Sequence, residues 1–232
     1  MRLELEKELE WRREEMVFFN NQLTEVADDK KDRYRKSLVL MLYSHFEGYM
    51  KISLQTYIKY LNLLNLKRSE ADIHLQASSM SRKFDEHEDT NRKPEPTNSI
   101  SKEDKHLHRL GRRVELLEKL DGYKERILII DDKIINTESN LRSEILQKNL
   151  YRIGLPTDLF ESHHKSIDAL VNRRNEIAHG KSTSGVGERE YKKWSTEVNR
   201  IMNETTRALY DCVIGQKYLK NSTGISYDVI TV

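Results

Sequence analysis

The sequence predicts an all-α protein, a bundle of four to six helices, and three observations favour this class. Apolar residues recur at helical spacing over several long stretches. Glycine and proline, which interrupt helices, are scarce, with nine and three copies in 232 residues. About a third of the residues are charged and 37% are hydrophobic, a balance that suits long solvated helices around a modest core.

The bulk properties narrow the functional classes. A formal net charge of +2 excludes a polycation, so any RNA-binding surface must be a local patch. The single cysteine, Cys212, excludes an intramolecular disulfide and a cysteine-based metal site. We find no signal peptide and no apolar run of the roughly 18–20 residues that span a membrane. We therefore expect a cytoplasmic protein with no membrane partner and a single domain over residues 1–232.

Two long helices are predicted at the start of the chain, over residues 2 to about 27 and about 33 to 64, separated by the charged run 28–32. In the first, apolar side chains recur at alternating steps of four and three, with Arg12 as the one charged exception. This spacing favours a bundle helix, and a dimerising arm is the alternative. In the second helix, Glu47 lies inside an apolar arc, where a carboxylate is costly unless it has a partner. The arc consists of Val39, Tyr43, Phe46, Met50, Leu54, Tyr57 and Leu61.

The middle of the chain is less regular. Residues 67–102 are polar and contain Pro94 and Pro96, which predicts a flexible insertion or long loop with at most one short helix near 70–84. A helix from Ser101 to about residue 120 follows, and it carries apolar Leu110, Val114, Leu117 and Leu120. The run 127–130 fits either a short strand or a buried connector, because periodicity cannot decide over four residues.

The last third of the chain predicts three more helices and a tail. The first begins at Thr137 or Ser139 and closes near Gly154. The second begins at Thr157 or Asp158 and ends at Gly180, a residue type that commonly terminates helices. The third follows a loop over 181–187 and covers about 188–218. The tail, 221–232, is apolar from residue 225 on and could add a strand or cover the bundle.

The helix end at residues 173–180 combines a guanidinium, an amide and an imidazole. On a helical wheel Arg174 lies in the apolar stripe, Asn175 and His179 are neighbours at its edge, and Arg173 points away. Such a set suits phosphodiester cleavage in RNA. The planar fork of an arginine binds phosphate oxygens and stabilises developing negative charge. A histidine, with a pKa of about 6.5, exchanges protons near neutral pH.

A structural role fits the same residues. Arg174 could be a buried cation paired with Glu47, and His179 could be a favourable cation at a helix C-terminus. The two interpretations are compatible, because a Glu47 contact could also hold Arg174 ready for a phosphate. Positions 174 and 179 differ by about 140° around a helix, so they converge only if the helix end bends or two chains share one cleft.

A metal site is not predicted. His106 and His108 would point apart by about 160° on a helix, and His163 and His164 diverge similarly. No carboxylates at matching spacing complete a ligand set. We expect these histidines to be solvated, and we expect no cofactor.

The arginine–histidine pair also carries a resemblance to a known family. Arg174-x4-His179 resembles the Arg-x4–6-His motif of the HEPN superfamily, whose members are α-helical domains. Residues 42–51 (LYSHFEGYMK) and 137–142 (TESNLR), followed by Gly154-Leu155, extend the similarity in the same order. Together with 173–180 they resemble one branch, the stand-alone RiboL-PSP-HEPN-type and related cyanobacterial HEPN-like nucleases.

The resemblance implies an activity and a set of site residues. Many HEPN members are metal-independent endoribonucleases of toxin–antitoxin and antiviral systems, and they form a composite site between two chains. By resemblance, Arg174 and His179 are the catalytic pair, Asn175 is its polar companion and Glu47 is the acidic residue of the second helix. We expect three further cations to contact RNA phosphates. They are Arg173, Lys181 and Lys51.

The expected partners are RNA, a second copy of the chain, and an antitoxin or defence-system protein. Some HEPN domains bind or scaffold without cleaving RNA. Two alternatives to the enzyme therefore stay open at this point. One is a non-catalytic helical interaction module, such as an accessory subunit, and the other is a nucleotide-sensing module.

Overall fold

The computed structural model describes residues 1–181 and 183–220, and this part of the chain is helical, with isolated β-bridges in place of strands. The predicted all-α class is confirmed. Outside residues 67–102 there are six α-helices, in agreement with the four to six expected. The nine α-helices of the described residues are α1 (Arg2–Asn21), α2 (Asp28–Leu63), α3 (Ile73–Ser79), α4 (Ser81–Glu88), α5 (Glu95–Ile100), α6 (Lys105–Lys124), α7 (Ser143–Arg152), α8 (His164–Ala178) and α9 (Glu188–Ile214).

The chain divides into two compact units. Unit 1 comprises residues 1–60 and 132–215, and unit 2 comprises residues 61–131 and the described residues from 216 on. Unit 1 contains α1, α7, α8, α9 and most of α2, and unit 2 contains α3 to α6. The predicted C-terminal tail, 221–232, lies outside the described residues. The single domain over 1–232 stays a prediction.

Helix α2 supplies much of the core of unit 1. The members of its predicted apolar arc within this unit, from Val39 to Tyr57, are at most 2% exposed. The helix begins at Asp28, five residues earlier than predicted. Asp28 and Asp29 occupy its first turn, where carboxylates stabilise the positive end of the helix dipole. The charged run expected to separate two helices therefore starts the second one.

Helix α1 contributes a narrower buried face, made of Leu5, Leu9 and Arg12. Arg12, the charged exception in its apolar pattern, is 7% exposed and pairs with Glu8. Its guanidinium also lies over the ring of Trp11, 4.3 Å from the centroid. The charge is therefore partnered within the bundle. Helix α1 ends at Asn21 and continues as a single 3₁₀ turn.

Residues 67–102 do not form the predicted long loop, because three short helices, α3 to α5, occupy them. Asp72 caps α3 by accepting a hydrogen bond from the backbone of His74 at 2.8 Å. Pro94 and Pro96, which favoured a loop, lie at the start of α5, where a missing N–H costs nothing. Of these three helices, α3 begins with a side-chain cap, while α4 and α5 begin without one. The flexibility of residues 67–102 stays a prediction.

Two further observations concern connections, one where two alternatives stood open and one where a helix starts late. The run 127–130 is a connector and not a strand: Leu128 and Ile130 are buried, while Ile127 and Ile129 are exposed. Helix α7 starts at Ser143, later than predicted, because a loop occupies residues 136–142. None of the described helices combines the length and the apolar character needed to cross a membrane.

Candidate functional site

The motif helix α8 ends where the sequence predicts. Gly180 has a φ of +66°, a left-handed conformation that glycine adopts without strain. Its N–H donates to the carbonyl of Ile177 at 3.1 Å, and the N–H of Lys181 donates to Glu176 at 2.9 Å. This pair of bonds is a Schellman motif, which stops the helix at a defined residue. His179 is the C-cap and lies at the surface.

Arg174 is held from three directions. The centre of its guanidinium lies 4.0 Å from the centroid of the Tyr43 ring, at cation–π distance. One of its terminal nitrogens donates to the carbonyl of Ser139 at 2.9 Å, and a carboxylate oxygen of Glu47 lies 3.9 Å away. The Arg174 side chain is 19% exposed. The Glu47 contact expected from the helical wheels is therefore present, although it is long for an ion pair.

The loop over residues 136–142 lines this site together with helices α2 and α8. Glu138 and Ser139 have φ values of +52° and +53°, which are uncommon for residues with a side chain. The Asn140 carboxamide oxygen accepts from Asn175 at 3.2 Å, and the Leu141 N–H donates to the Tyr43 hydroxyl at 2.6 Å. The loop is thereby attached to both α2 and α8. Strained backbone of this kind persists where the surroundings fix it.

The site contains a tyrosine with a raised pKa and two buried polar atoms without hydrogen-bond partners within the described residues. Burial, and then the Glu47 carboxylate, raise the pKa of Tyr43, which keeps its hydroxyl protonated. Nε of Arg174 and Oε1 of Glu47 are both buried, and neither has a hydrogen-bond partner within the described residues. Leaving such a group unsatisfied costs about 1–3 kcal/mol. The pair thus retains bonding capacity that the fold does not use.

His179 stands apart from this cluster. Its side chain is exposed and makes no hydrogen bond or ion pair with any described residue, and Arg174 is not among its contacts. Its backbone N–H donates to Asn175 at 3.0 Å. The structure therefore places Arg174 beside Glu47 and joins Asn175 to Asn140 of the loop, and no hydrogen bond links the side chains of Arg174 and His179.

The three predicted phosphate contacts differ in their surroundings. Arg173 faces away from Glu47, as predicted, but it donates to the carbonyl of Gly185 at 2.8 Å and to Glu176 at 3.2 Å. A phosphate would have to displace these contacts. Lys181 and Lys51 are exposed, and Lys51 follows Glu47 by one turn on α2.

Three residues were not assigned to the site from the sequence. They are Tyr43, Ser139 and Asn140. Tyr43 could have been found, because it precedes Glu47 by one helical turn and the two share a face. The loop residues carry no comparable signal, since the left-handed conformation at Glu138 and Ser139 does not involve glycine.

Of the four histidines expected to be solvated, His163 and His108 are buried. His163 is 2% exposed, and its two ring nitrogens lie 2.7 Å from Glu197 and 2.8 Å from Glu204 on α9. His108 in unit 2 is 3% exposed. Charged or polar partners offset their burial, and the pattern on a helical wheel does not reveal such partners. Among the described residues no group of three or more histidines, cysteines or carboxylates is arranged so that it could hold a metal ion.

The comparisons with known proteins identify the family. The sequence model of the RiboL-PSP-HEPN family matches residues 7–211, which is most of the chain and includes all the residues of the site. No curated protein and no solved structure matches the chain. The chain belongs to the RiboL-PSP-HEPN family, whose name points to a nuclease-type or RNA-related domain.

Proposed function

We propose that this protein is an endoribonuclease in which Arg174 and His179 act on one phosphodiester of RNA without a metal. The observation that carries the proposal is the setting of Arg174. Its guanidinium is fixed by Tyr43, Ser139 and Glu47, yet part of its side chain reaches solvent. Family membership adds support, since the match covers this site.

The proposed reaction is an internal transfer. The 2′-oxygen attacks the adjacent phosphorus, the bond from phosphorus to the 5′-oxygen breaks, and a 2′,3′-cyclic phosphate forms. One proton leaves the 2′-hydroxyl and one reaches the departing 5′-oxygen. Histidine suits either transfer, because its ordinary pKa of about 6.5 lies near neutral pH.

Arg174 would stabilise the phosphate as negative charge develops on its oxygens. A fixed cation in a partly desolvated site is more effective than one in water, because no solvent has to reorganise around the developing charge. The contacts to Tyr43 and Ser139 hold the guanidinium in advance. The long Glu47 contact leaves room for a phosphate oxygen to become the better partner.

The separation of His179 from Arg174 supports a site shared by two chains. In this arrangement Arg174 of one chain and His179 of a second copy face the same phosphate, as a two-fold cleft allows. Asn175, on the same helix face as His179, would hold a phosphate oxygen or orient the imidazole. Lys181 and Lys51 are exposed and free to contact the RNA backbone on either side.

The proposed setting is a toxin or an anti-phage defence effector, and an antitoxin or defence-system protein would be its partner. The family match is compatible with this setting and carries no information on the partner. The alternative function is a non-catalytic interaction or nucleotide-sensing module. An exposed His179 side chain without a contact in its own described residues fits this alternative as well as the shared site, and RNA cleavage distinguishes them.

Cleavage of structured RNA in EDTA tests the proposal. We expect wild-type protein to produce 2′,3′-cyclic phosphate ends, and we expect Arg174→Ala and His179→Ala each to lose about 10²-fold or more in rate. His106→Ala, which removes an exposed histidine from unit 2, is the matched control and should keep the full rate. Equal cleavage by all variants, or ends other than the cyclic phosphate, would refute the assignment, and silence from the wild type would favour the binding module.

A further inference from the structure

Within unit 2, helix α6 turns a polar face toward the interior. His108, Gly111 and Arg112 are its buried residues. His108 lies 3.0 Å from the Thr97 hydroxyl and 3.1 Å from the carbonyl of Lys102. Arg112 donates to the carbonyls of His87 and Arg92 at 2.9 and 2.8 Å. The polar side chains on the buried face of α6 therefore have hydrogen-bond partners.

The apolar residues of α6 point the other way. Leu110, Val114 and Leu117 are 55%, 44% and 71% exposed, and half-buried Leu107 continues the row. These four residues, the apolar strip, follow one another at steps of three, four and three. They lie on the side of the helix opposite His108 and Arg112. A row of exposed large apolar side chains on one helix marks an interaction surface.

The spacing and the charges of α6 indicate which partner fits the apolar strip. Leu107 and Val114 occupy the first position of a heptad, and Leu110 and Leu117 occupy the fourth. Arg113 and Glu118 flank the strip on its two sides. Both are exposed, and neither forms an ion pair with any described residue.

A parallel pair of α6 helices would satisfy these two charges. In a parallel coiled coil, the position that Arg113 holds faces the position five residues later on the other helix. Arg113 therefore meets Glu118 of the partner subunit, and symmetry repeats the contact on the other side. An antiparallel pair would instead place Arg113 against the partner subunit's Arg113, which is unfavourable.

We propose that the apolar strip binds the same strip of a second copy of this chain, with the two α6 helices parallel and in register. The strip covers only two heptads, so the contact is small and association through it falls roughly in the micromolar range or weaker. It lies in unit 2 and includes no residue of the candidate active site. The proposal is therefore independent of RNA cleavage and of the cleft proposed for unit 1.

Cysteine cross-linking tests both the contact and its direction. In a parallel, in-register pair each strip residue faces its own copy, so Leu110→Cys and Leu117→Cys should each form a disulfide dimer under mild oxidation. In an antiparallel pair the first position of a heptad faces the fourth, so Leu110 faces Val114 of the partner subunit, and only a mixture of Leu110→Cys with Val114→Cys would form the disulfide. Arg109→Cys, exposed but off the strip, is the matched control, and the wild type controls for buried Cys212. Cross-linking of the two variants no faster than Arg109→Cys, or cross-linking only in the mixture of Leu110→Cys with Val114→Cys, would overturn the proposal.

Charge reversal tests the register through a second measurement. Cross-linking at Leu110→Cys should slow about tenfold or more when either Arg113→Glu or Glu118→Arg is added, because each creates two like-charge contacts. The double reversal should restore the rate, and so should an equimolar mixture of the two single reversals. Circular dichroism shows whether each variant is folded. Reversals that leave the rate unchanged in folded proteins would contradict the parallel register.

Discussion

Arg174 is a cation that the fold fixes without neutralising. Its neighbours are an aromatic ring, a backbone carbonyl and a carboxylate 3.9 Å away, and its Nε has no hydrogen-bond partner in the described part of the chain. A closer carboxylate would compete with any anionic ligand. An arginine with no carboxylate nearby would be costly to keep half-buried. The observed arrangement lies between these extremes, which suits the phosphate binding that we propose for Arg174.

Tyr43 links this cation to the loop, and its hydroxyl can be tested alone. Tyr43→Phe keeps the ring under Arg174 but leaves the buried N–H of Leu141 without its acceptor. We expect a loss of about 1–3 kcal/mol in the free energy of unfolding, measured by urea denaturation. Tyr60→Phe, on the same helix, is the control and should change little. A Tyr43→Phe protein as stable as the wild type would show that the loop is not held by this bond.

His45 gives the protein a specific sensitivity to acid. Burial lowers the pKa of His45 and outweighs the Glu15 carboxylate 3.0 Å away, which raises it, while Arg12 lowers it further. The unfolded chain therefore binds this proton more readily than the folded chain. The stability that depends on neutral His45 is full above the ordinary pKa of 6.5 and is lost as pH falls below it.

The comparison between two proteins isolates this contribution. We expect the wild type to lose more unfolding free energy between pH 7.5 and 5.5 than His45→Gln, since the variant has no proton to bind at this position. Urea denaturation at the two pH values provides the measurement. Equal losses in both proteins would mean that other groups account for the acid sensitivity.

At the scale of elements, the end of α8 determines where His179 lies. The Schellman motif fixes the backbone over residues 176–181, and Gly180 provides its left-handed residue. A Cβ on Gly180 would meet no atom within 4 Å, so the cost of any substitution there is conformational and not steric. The backbone of His179 is therefore held by its own bond to Asn175 and by the turn that Gly180 makes after it.

Two glycine substitutions should change the free energy of unfolding in opposite directions. Gly180→Ala should lower the unfolding free energy by about 1 kcal/mol, because alanine is strained at positive φ. Gly122→Ala, inside α6 and equally open, should raise it by about 0.5–1 kcal/mol through helix propensity. Thermal unfolding of both variants provides the measurement. A stabilising Gly180→Ala would contradict the left-handed helix end.

Some features of these elements could be predicted from the sequence, and others could not. The helix end at Gly180 and the Glu47–Arg174 contact were predicted, because a terminating glycine and two apolar stripes leave clear periodic signals. The helices of residues 67–102 were not, since each has at most eight residues, which is too short for a clear periodic signal. The sequence also did not reveal which face of α6 is buried. Hydrogen bonds, which a helical wheel does not show, bury its polar face.

At the scale of the whole molecule, the two units carry different features. All residues of the candidate active site lie in unit 1, within the part of the chain that the family model matches. Unit 2 contains the short helices of residues 67–102 and the apolar strip of α6. If both proposals hold, each chain contacts another copy through unit 1 and through unit 2. Association would then depend on concentration in two separable ways.

The central claim is that Arg174 and His179 act together on one phosphodiester, each supplied by a different chain. Mixing inactive Arg174→Ala with inactive His179→Ala tests it most directly. A mixed dimer retains one intact Arg174–His179 pair across its cleft, so the equimolar mixture should recover about a quarter of the wild-type cleavage rate once the subunits have exchanged. A mixture no more active than either variant alone, under conditions where subunit exchange is verified, would contradict the shared site.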